Sequence, residues 1–388
     1  MKIALAAEAK YVNRLWFDDR KLLAELKNRG HHVQVIDWQD KEQRVDHFDS
    51  IFICTTWNGC HHPRDYIRFL NKCNAGKPRL INDREVLGIG FSKSFYWPLL
   101  EQLLERNEHD GTNPSGVDGT LTKSHFFVDG EPITAGGCEE SLDGRSLCDI
   151  LEELEWDTRR IVLKPAISAS GFNTFVYVPE GAKPIDATQV RPGKEAFVLR
   201  CKNDARRTFV KLARNTINNG VVLQPYVDAV ESEDCAEHSM VVIGGKCVHA
   251  VKKMPLFGGC RTKDRTFIPT RDEDRKRIPV NDNNNEKVKE MREFAEYLVQ
   301  QLANEFGKNS VSRARADIFY HEGRPTLCEL ECVDPNTNLE VVLTGNLEAG
   351  GGDSREVVAF RKQALREIVE EYARVIEERT ATLAQASG

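Results

Sequence analysis

Ala316-Asp317-Ile318-Phe319, a polar turn, and then Leu327-Cys328-Glu329-Leu330-Glu331 form the stretch on which the reading of this chain depends. Apolar and acidic residues alternate in both halves, which predicts two strands of a hairpin joined through His321-Glu322-Gly323-Arg324-Pro325. Strand side chains alternate between faces, so Glu329 and Glu331 point the same way and Asp317 on the paired strand can join them. Carboxylates crowded on one face repel one another unless a cation lies between them. Hard oxygen donors suit Mg²⁺, which usually divides its shell between a few carboxylates and substrate phosphates. The pattern points to an enzyme of nucleoside triphosphates. A solvated acidic hairpin face would show the same alternation, so the rest of the chain has to decide.

With 388 residues there is room for two or three domains, and 40% hydrophobic with 29% charged residues is ordinary for a globular enzyme. A formal charge of −6 carries no nucleic-acid footprint. No apolar run approaches a membrane span, and no basic segment leads into an apolar one at the N-terminus, so a cytoplasmic protein is expected. The eleven cysteines are odd in number and scattered, without a Cys-x-x-Cys pair. Cys54 with Cys60-His61-His62 is the nearest approach to a zinc box, and no second ligand pair completes it.

The first hundred residues alternate strand and helix. Strands are expected at Ile3–Ala7, Val33–Ile36, Ser50–Cys54 and Arg79–Ile81. Helices are expected from Asp18/Asp19 through Leu26, ended by Gly30, and over Arg64–Cys73. This βαβ pattern implies a small parallel sheet with Trp57-Asn58-Gly59 beyond its third strand, where open α/β sheets place ligands. No Gly-x-Gly-x-x-Gly supports a dinucleotide site. A helix over Phe91–Leu104 carries Lys93, and Asn107–Gly119 and Gly136–Arg145 read as loops. Ser146–Leu154 reads as a helix, strands dominate from Arg160, and Asp204–Ile217 is an inserted helix. After the charged segment Arg271–Glu286, Lys287–Phe306 is an amphipathic helix with Val288, Met291, Ala295, Leu298 and Leu302 on one face. A final packing helix spans about Ser354–Arg379.

Ile161-Val162-Leu163-Lys164-Pro165 is an apolar strand ending in a lysine, followed by the small, hydroxyl-rich run Ala166-Ile167-Ser168-Ala169-Ser170-Gly171. Such a loop can close backbone N–H groups over phosphates, with the lysine as counter-charge; it lacks the Gly-Lys-Ser/Thr of a Walker loop. Val221-Val222-Leu223-Gln224-Pro225-Tyr226-Val227 is a second buried strand ending in a polar hinge, followed by Glu231. Ser239–Ile243 and Cys247–Lys253 pair through a Gly244-Gly245 turn, and either Lys252 or Lys253 faces inward. Arg261, Arg265 and Arg313 could hold a substrate carboxylate; exposed arginines on an ordinary surface would look the same.

The order of these elements resembles the ATP-grasp superfamily over nearly the whole chain. Thr56-Trp57-Asn58, the Leu163–Ser170 run, Leu223-Gln224-Pro225-Tyr226 and Glu329-Leu330-Glu331 are similar to the branch typified by the D-cycloserine biosynthesis ligase. That resemblance implies an α+β ATP-grasp fold preceded by an α/β pre-ATP-grasp domain with a small parallel sheet. It would divide into 1–90, a lid subdomain at 91–220, and a metal-binding subdomain at 221–388. It also implies an ADP-forming ligase that uses ATP and Mg²⁺ on a small amino-acid-like substrate, with a homodimer as a common assembly. Lys93 and Lys164 would contact phosphates, and Ser168, Ser170 and Gly171 would cover them. Gln224, Pro225, Tyr226 and Val227 would hold adenine and Glu231 the ribose. Asp317, Glu329 and Glu331 would bind Mg²⁺, with Arg315 and Lys253 neutralising the transferred phosphoryl group. Two positions depart from the common pattern. Glu331 stands where most members have asparagine, as the cycloserine branch also does, and Trp57-Asn58-Gly59 replaces that branch's Trp-Asp-Tyr. A small-molecule kinase and a non-catalytic nucleotide-binding module are the competing readings.

Overall fold

The computed structural model describes residues 1–109, 118–127, 147–168, 171–185, 190, 197–215, 220–231, 236–253, 265–268, 270, 282–344, 346–347 and 355–385. The chain opens with β1 (Lys2–Ala7), α1 (Phe17–Asn28), β2 (His32–Asp37), β3 (Ser50–Ile53), α2 (Pro63–Asn74), α3 (Arg84–Gly90) and α4 (Lys93–His109). The middle holds β4 (Thr120–Leu121), β5 (His125–Phe127), α5 (Leu147–Glu153), β6 (Ile161–Pro165), β7 (Phe175–Tyr177), β8 (Val198–Leu199) and α6 (Lys202–Ala213). The remainder is β9 (Val221–Pro225), β10 (Glu237–Ile243), β11 (Lys246–Lys253), β12 (Arg265–Ile268) and α7 (Asp282–Phe306). It closes with β13 (Arg313–His321), β14 (Arg324–Glu331), α8 (Leu339–Thr344), β15 (Asn346–Leu347) and α9 (Arg355–Gln385).

Three sheets organise these elements. The first is parallel, in the order β2-β1-β3, as the βαβ pattern predicts. Arg79–Ile81 adds only one bridge to it, Ile51 to Leu80, rather than a full strand. The largest runs β15-β12-β11-β10-β13-β14-β4, and the third runs β5-β9-β6-β7-β8. Strand β9 belongs to this third sheet, so sheet membership does not change at residue 220.

Helix ends follow local chemistry. Gly30 adopts φ +84 after α1, and His31 N–H bonds back to Leu26 O at 3.1 Å, a Schellman-type stop that needs the left-handed backbone. Gly307, at φ +109, ends α7 likewise. The helix expected at Phe91–Leu104 is α4, from Lys93 to His109, and ahead of it stands α3, which periodicity did not reveal. The expected helix at Asp204–Ile217 is the shorter α6, while α7 and α9 extend beyond Lys287 and Arg379.

Two cores sandwich the large sheet. On one face Val241, Val251 and Phe267 pack against Ile368, Tyr372 and Ile376 of α9 and against Leu5, Leu22 and Leu26 of the first domain. On the other, Met240, Ala316, Ile318 and Leu330 meet Val288, Met291, Ala295, Leu298 and Leu302 of α7, all buried as the helical spacing requires. Each of these valine, leucine, isoleucine, methionine and phenylalanine side chains contributes about 1.5–3 kcal/mol by leaving water. The first domain and the large sheet share one continuous core, so a cavity at their junction has firm walls.

Candidate active site

The hairpin β13–β14 sets the site's geometry. Asp317 stands opposite Glu329 and Arg315 opposite Glu331, all four directed to one face by strand alternation. The guanidinium of Arg315 donates from Nε to Asp317 Oδ1 at 3.0 Å and from Nη2 to Oδ2 at 3.1 Å. Nη2 also lies 3.4 Å from Glu331 Oε2. On the next strand Ser239 Oγ donates to Asp317 Oδ1 at 2.5 Å, and Lys253 Nζ lies 3.1 Å from Asp317 Oδ2 and 2.6 Å from Glu237 Oε1. Lys253 is therefore the inward lysine of its pair. From the first turn of α4, Lys93 Nζ reaches Glu329 Oε1 at 2.8 Å and Ser168 Oγ at 3.1 Å.

Electrostatics separates the three acids. Burial pushes Asp317 up, but Arg315 and Lys253 outweigh it and hold the carboxyl far below the usual range. Burial likewise opposes ionisation of Glu329, while Lys93 and Lys164 overcome it and bring the group down to about 2. Glu331 goes the other way: burial and the neighbouring charges of Glu329 and Asp334 exceed the help of Arg315, and its pKa rises. Its side chain keeps 28% exposure, so solvent moderates that rise. Glu331 is a carboxylate short of positive charge.

The three carboxylates expected to bind metal differ in their surroundings. Arg315 draws Asp317 off in a two-pronged ion pair, and among the described residues no three His, Cys, Asp or Glu side chains stand close enough to hold an ion. Glu329 and Glu331 do border one cavity, at 31% and 28% side-chain exposure. Two carboxylates, one of them under-neutralised, fit Mg²⁺ completed by phosphate oxygens. The Cys54, Cys60, His61 and His62 run forms no such cluster either.

Lys164 projects from β6, 7% exposed, without a hydrogen bond or ion pair to any described residue. A buried cation without a hydrogen-bond acceptor is costly and favours an incoming anion. Gly171 at φ +68 and Asn173 at φ +53 turn the loop beyond Ser168; Ser170 lies outside the described residues. In the hinge, the side chain of Gln224 donates to Ser124 Oγ at 2.7 Å, and Tyr226 N–H donates to Arg160 O at 2.7 Å. Pro225 closes β9 opposite Ile161, and Val227 follows Tyr226 towards the turn that contains Glu231. Arg160, which the pattern alone did not mark, sits over the Tyr226 ring at 4.4 Å and donates to Glu231 Oε1 at 2.5 Å. Lys183 Nζ donates to Glu231 Oε2 at 2.7 Å, so both oxygens of that residue are engaged. A single arginine ahead of a buried strand is a weak signal, and only the fold brings it to Glu231.

The cavity, about 50 Å³, lies where α4, β14 and the loop after β3 meet. Thr56, Trp57, Tyr66, Phe91, Lys93, Tyr96, Ser168, Glu329, Glu331 and Asp334 line it. Tyr66 stacks on Phe91 at 5.0 Å, and a Cβ on Gly59 would stand 2.9 Å from the Tyr66 ring, so only glycine fits there. Behind this wall is a charged cluster that sequence reading did not assemble. Arg313, 3% exposed, donates to Ile53 O at 2.7 Å, lies 3.6 Å from Asp334 and 4.0 Å from Asp19, and covers the Phe52 ring at 4.4 Å. It is thus sealed away from any substrate. Arg265 donates to Asn338 Oδ1 at 2.6 Å, and Arg261 lies outside the described residues. Asp18 and Asp19, expected merely to open α1, are buried instead: Asp18 accepts from Thr337 Oγ1 at 2.7 Å, and Asp19 accepts from Thr55 Oγ1. Thr55, a β-branched residue at φ 41, occupies a left-handed backbone that this contact holds in place.

Burial raises Asp19 to about 7, Asp334 and Asp18 adding to the rise while Arg313 and Thr55 resist it. A carboxyl with a raised folded pKa binds more protons folded than unfolded, where its pKa is about 3.9. Its stabilising contribution is full below that value and is lost as pH rises towards 7. Stability should therefore fall between about pH 4.5 and 7, above the range where Asp317 and Glu329 titrate oppositely. Asp19→Asn should flatten that slope, as read from urea midpoints at pH 5 and 7; a slope unchanged by the substitution would assign it elsewhere.

Residues 3–82 match the family described as D-cycloserine synthetase DcsG, N-terminal domain. As a structure, the chain is similar to D-cycloserine synthetase DcsG at 17% identity, with 95% of this chain and 100% of that one covered and a TM-score of 0.61. D-alanine–D-alanine ligase from Bacillus anthracis follows at 12% identity, 97% and 99% coverage and a TM-score of 0.53. A RimK domain protein ATP-grasp from Sphaerobacter thermophilus DSM 20745 aligns at 10% identity, 97% and 99% coverage and a TM-score of 0.50. No curated protein is matched by the sequence. Identities this low establish shared fold, and the fold is ATP-grasp.

Proposed function

We propose that this chain, an ATP-grasp-fold protein whose first domain is of the D-cycloserine synthetase type, is an ADP-forming carbon–nitrogen ligase. It takes ATP and Mg²⁺ and a small amino-acid-like substrate, activates a carboxylate as an acyl phosphate, and passes it to an amine. The observation that carries this reading is the buried Lys93 of α4 set 2.8 Å from Glu329, with the buried cation of Lys164 on β6 near enough to help hold that carboxyl low. A site that opposes cations to carboxylates across a cavity suits phosphoryl transfer, which depends on positioning and charge neutralisation rather than on a covalent nucleophile.

Glu329 and Glu331 would hold Mg²⁺, which when bound supplies positive charge to the phosphate oxygens. Lys164, whose side chain makes no hydrogen bond or close ion pair among the described residues, would take a phosphate oxygen directly. Lys93 would turn from Glu329 towards the nucleotide as that carboxylate engages the metal. Arg315 and Lys253, fixed on Asp317, present a rigid positive edge to the transferred group and to the acyl phosphate that follows. Gln224 to Val227 offer hinge backbone to adenine, and Glu231 can accept a ribose hydroxyl if Lys183 gives up one of its oxygens. Ser168 and Gly171 border the phosphates and help exclude water, which would hydrolyse an acyl phosphate.

Hydroxylamine tests the intermediate. Incubation with Mg²⁺-ATP and a carboxylate substrate should yield a hydroxamate in step with ADP. ADP formation that leaves a stable phosphorylated alcohol, with no hydroxamate, would favour the kinase instead.

A further inference from the structure

We propose that the substrate carries an aromatic ring or a comparably large apolar group, held at the mouth of the cavity by Trp57 and Trp16; this rests on the ligase reading above. Trp57 lines the cavity yet is only partly buried, and its ring meets Tyr11 edge-on at 5.8 Å and Trp16 edge-on at 5.4 Å. Trp16 exposes 38% of its surface and Phe172 exposes 44%. Phe172 packs edge-on against His61 at 4.6 Å, and His61 ends the same 3-10 turn that Trp57 begins. Among the described residues Met1 and Phe95 are the other exposed large hydrophobics, so half of the set converges on one turn.

A single exposed aromatic residue needs no explanation. Convergence at the lip of a charged cavity is different, because ligand pockets combine apolar walls with a few placed polar groups. Here the charged groups come from α4 and the hairpin, the rings of Trp57 and Trp16 from the first domain, and that of Phe172 from the loop after β6. A substrate whose reacting carboxyl lies against the charged side has its other end against the rings, where offset or edge-on stacking is favourable. The ring wall is also held still. Trp38 Nε1 donates to Asn58 Oδ1 at 2.9 Å, Asn58 Nδ2 donates to Gln39 Oε1 at 2.6 Å, and Gly59 is locked over Tyr66. Asn58 and Gly59, the residues that depart from the common pattern, are thus the ones that fix the pose of Trp57.

The test is calorimetric titration of L- and D-phenylalanine and of L- and D-alanine into the protein with Mg²⁺ and a non-hydrolysable ATP analogue. One phenylalanine enantiomer should bind at least about tenfold more tightly than the matching alanine. Trp16→Ala and, separately, Phe172→Ala should each shrink that preference, without changing the affinity for the ATP analogue. Equal binding of the two amino acids, undetectable binding of both, or a preference untouched by either substitution would overturn the proposal. Tight phenylalanine binding without ADP formation from ATP, alone or with a second amino acid, would uphold the aromatic subsite and overturn the ligase reading.

Discussion

Glu329→Gln will lower ATP-dependent turnover by about a hundredfold or more while leaving the protein folded. The substitution keeps side-chain shape, and the amide oxygen can still accept from Lys93, whose Nζ lies 2.8 Å from Glu329 Oε1. It removes one unit of negative charge from the position where two lysines hold the acid ionised, down to about 2. If the carboxylate acts through Mg²⁺ as proposed, the loss should fall on kcat and on the Mg²⁺ dependence together. The unfolding midpoint should fall only modestly, because Lys93, 7% exposed, loses a charged partner but keeps the amide oxygen as an acceptor. Near-normal turnover with an unchanged Mg²⁺ requirement would remove Glu329 from the metal site.

Arg313→Met should cost about 3–5 kcal/mol of stability at neutral pH. Methionine fills similar volume against Phe52, but Asp19 and Asp334 would lose the cation that partly offsets their burial. Removing one partner of a buried charge cluster leaves the others uncompensated, which is far more damaging than removing the whole cluster. The deficit should shrink as pH falls, because Asp19 and Asp334 become neutral and no longer need the guanidinium. Urea unfolding at pH 5 and pH 7 measures both effects; a loss below about 1 kcal/mol at pH 7 would show that the cluster is neutralised otherwise. This network ties the first domain to the hairpin strand, so the variant should also loosen the cavity wall at Thr56 and Asp334.

How far the sequence spoke for the structure varies with the kind of signal. Period-two alternation located β13 and β14 and put Asp317, Glu329 and Glu331 on one face, because strand geometry is local. Period-3.6 spacing placed the buried face of α7 without error. Helix α3 escaped notice because its run Arg84–Gly90 contains two glycines and lies almost against α4. What alternation could not convey was which acid each cation would take: Arg315 lies two residues from Asp317 and pairs with it through two hydrogen bonds. The cluster of Asp18, Asp19, Arg313 and Asp334 joins residues more than three hundred positions apart. Nothing in a helix-opening Asp-Asp pair distinguishes a buried partner from a solvated one.

The central claim is amide formation driven by ATP, and one measurement reaches it most directly. ADP, orthophosphate and product mass are quantified together with Mg²⁺-ATP and amino acids, singly and in pairs, including phenylalanine and O-ureidoserine. The account predicts ADP and phosphate in equal amounts, together with a product lighter than its precursors by one water, an amide formed between two molecules or within one. ADP accompanied by a phosphorylated product and no free phosphate would contradict it.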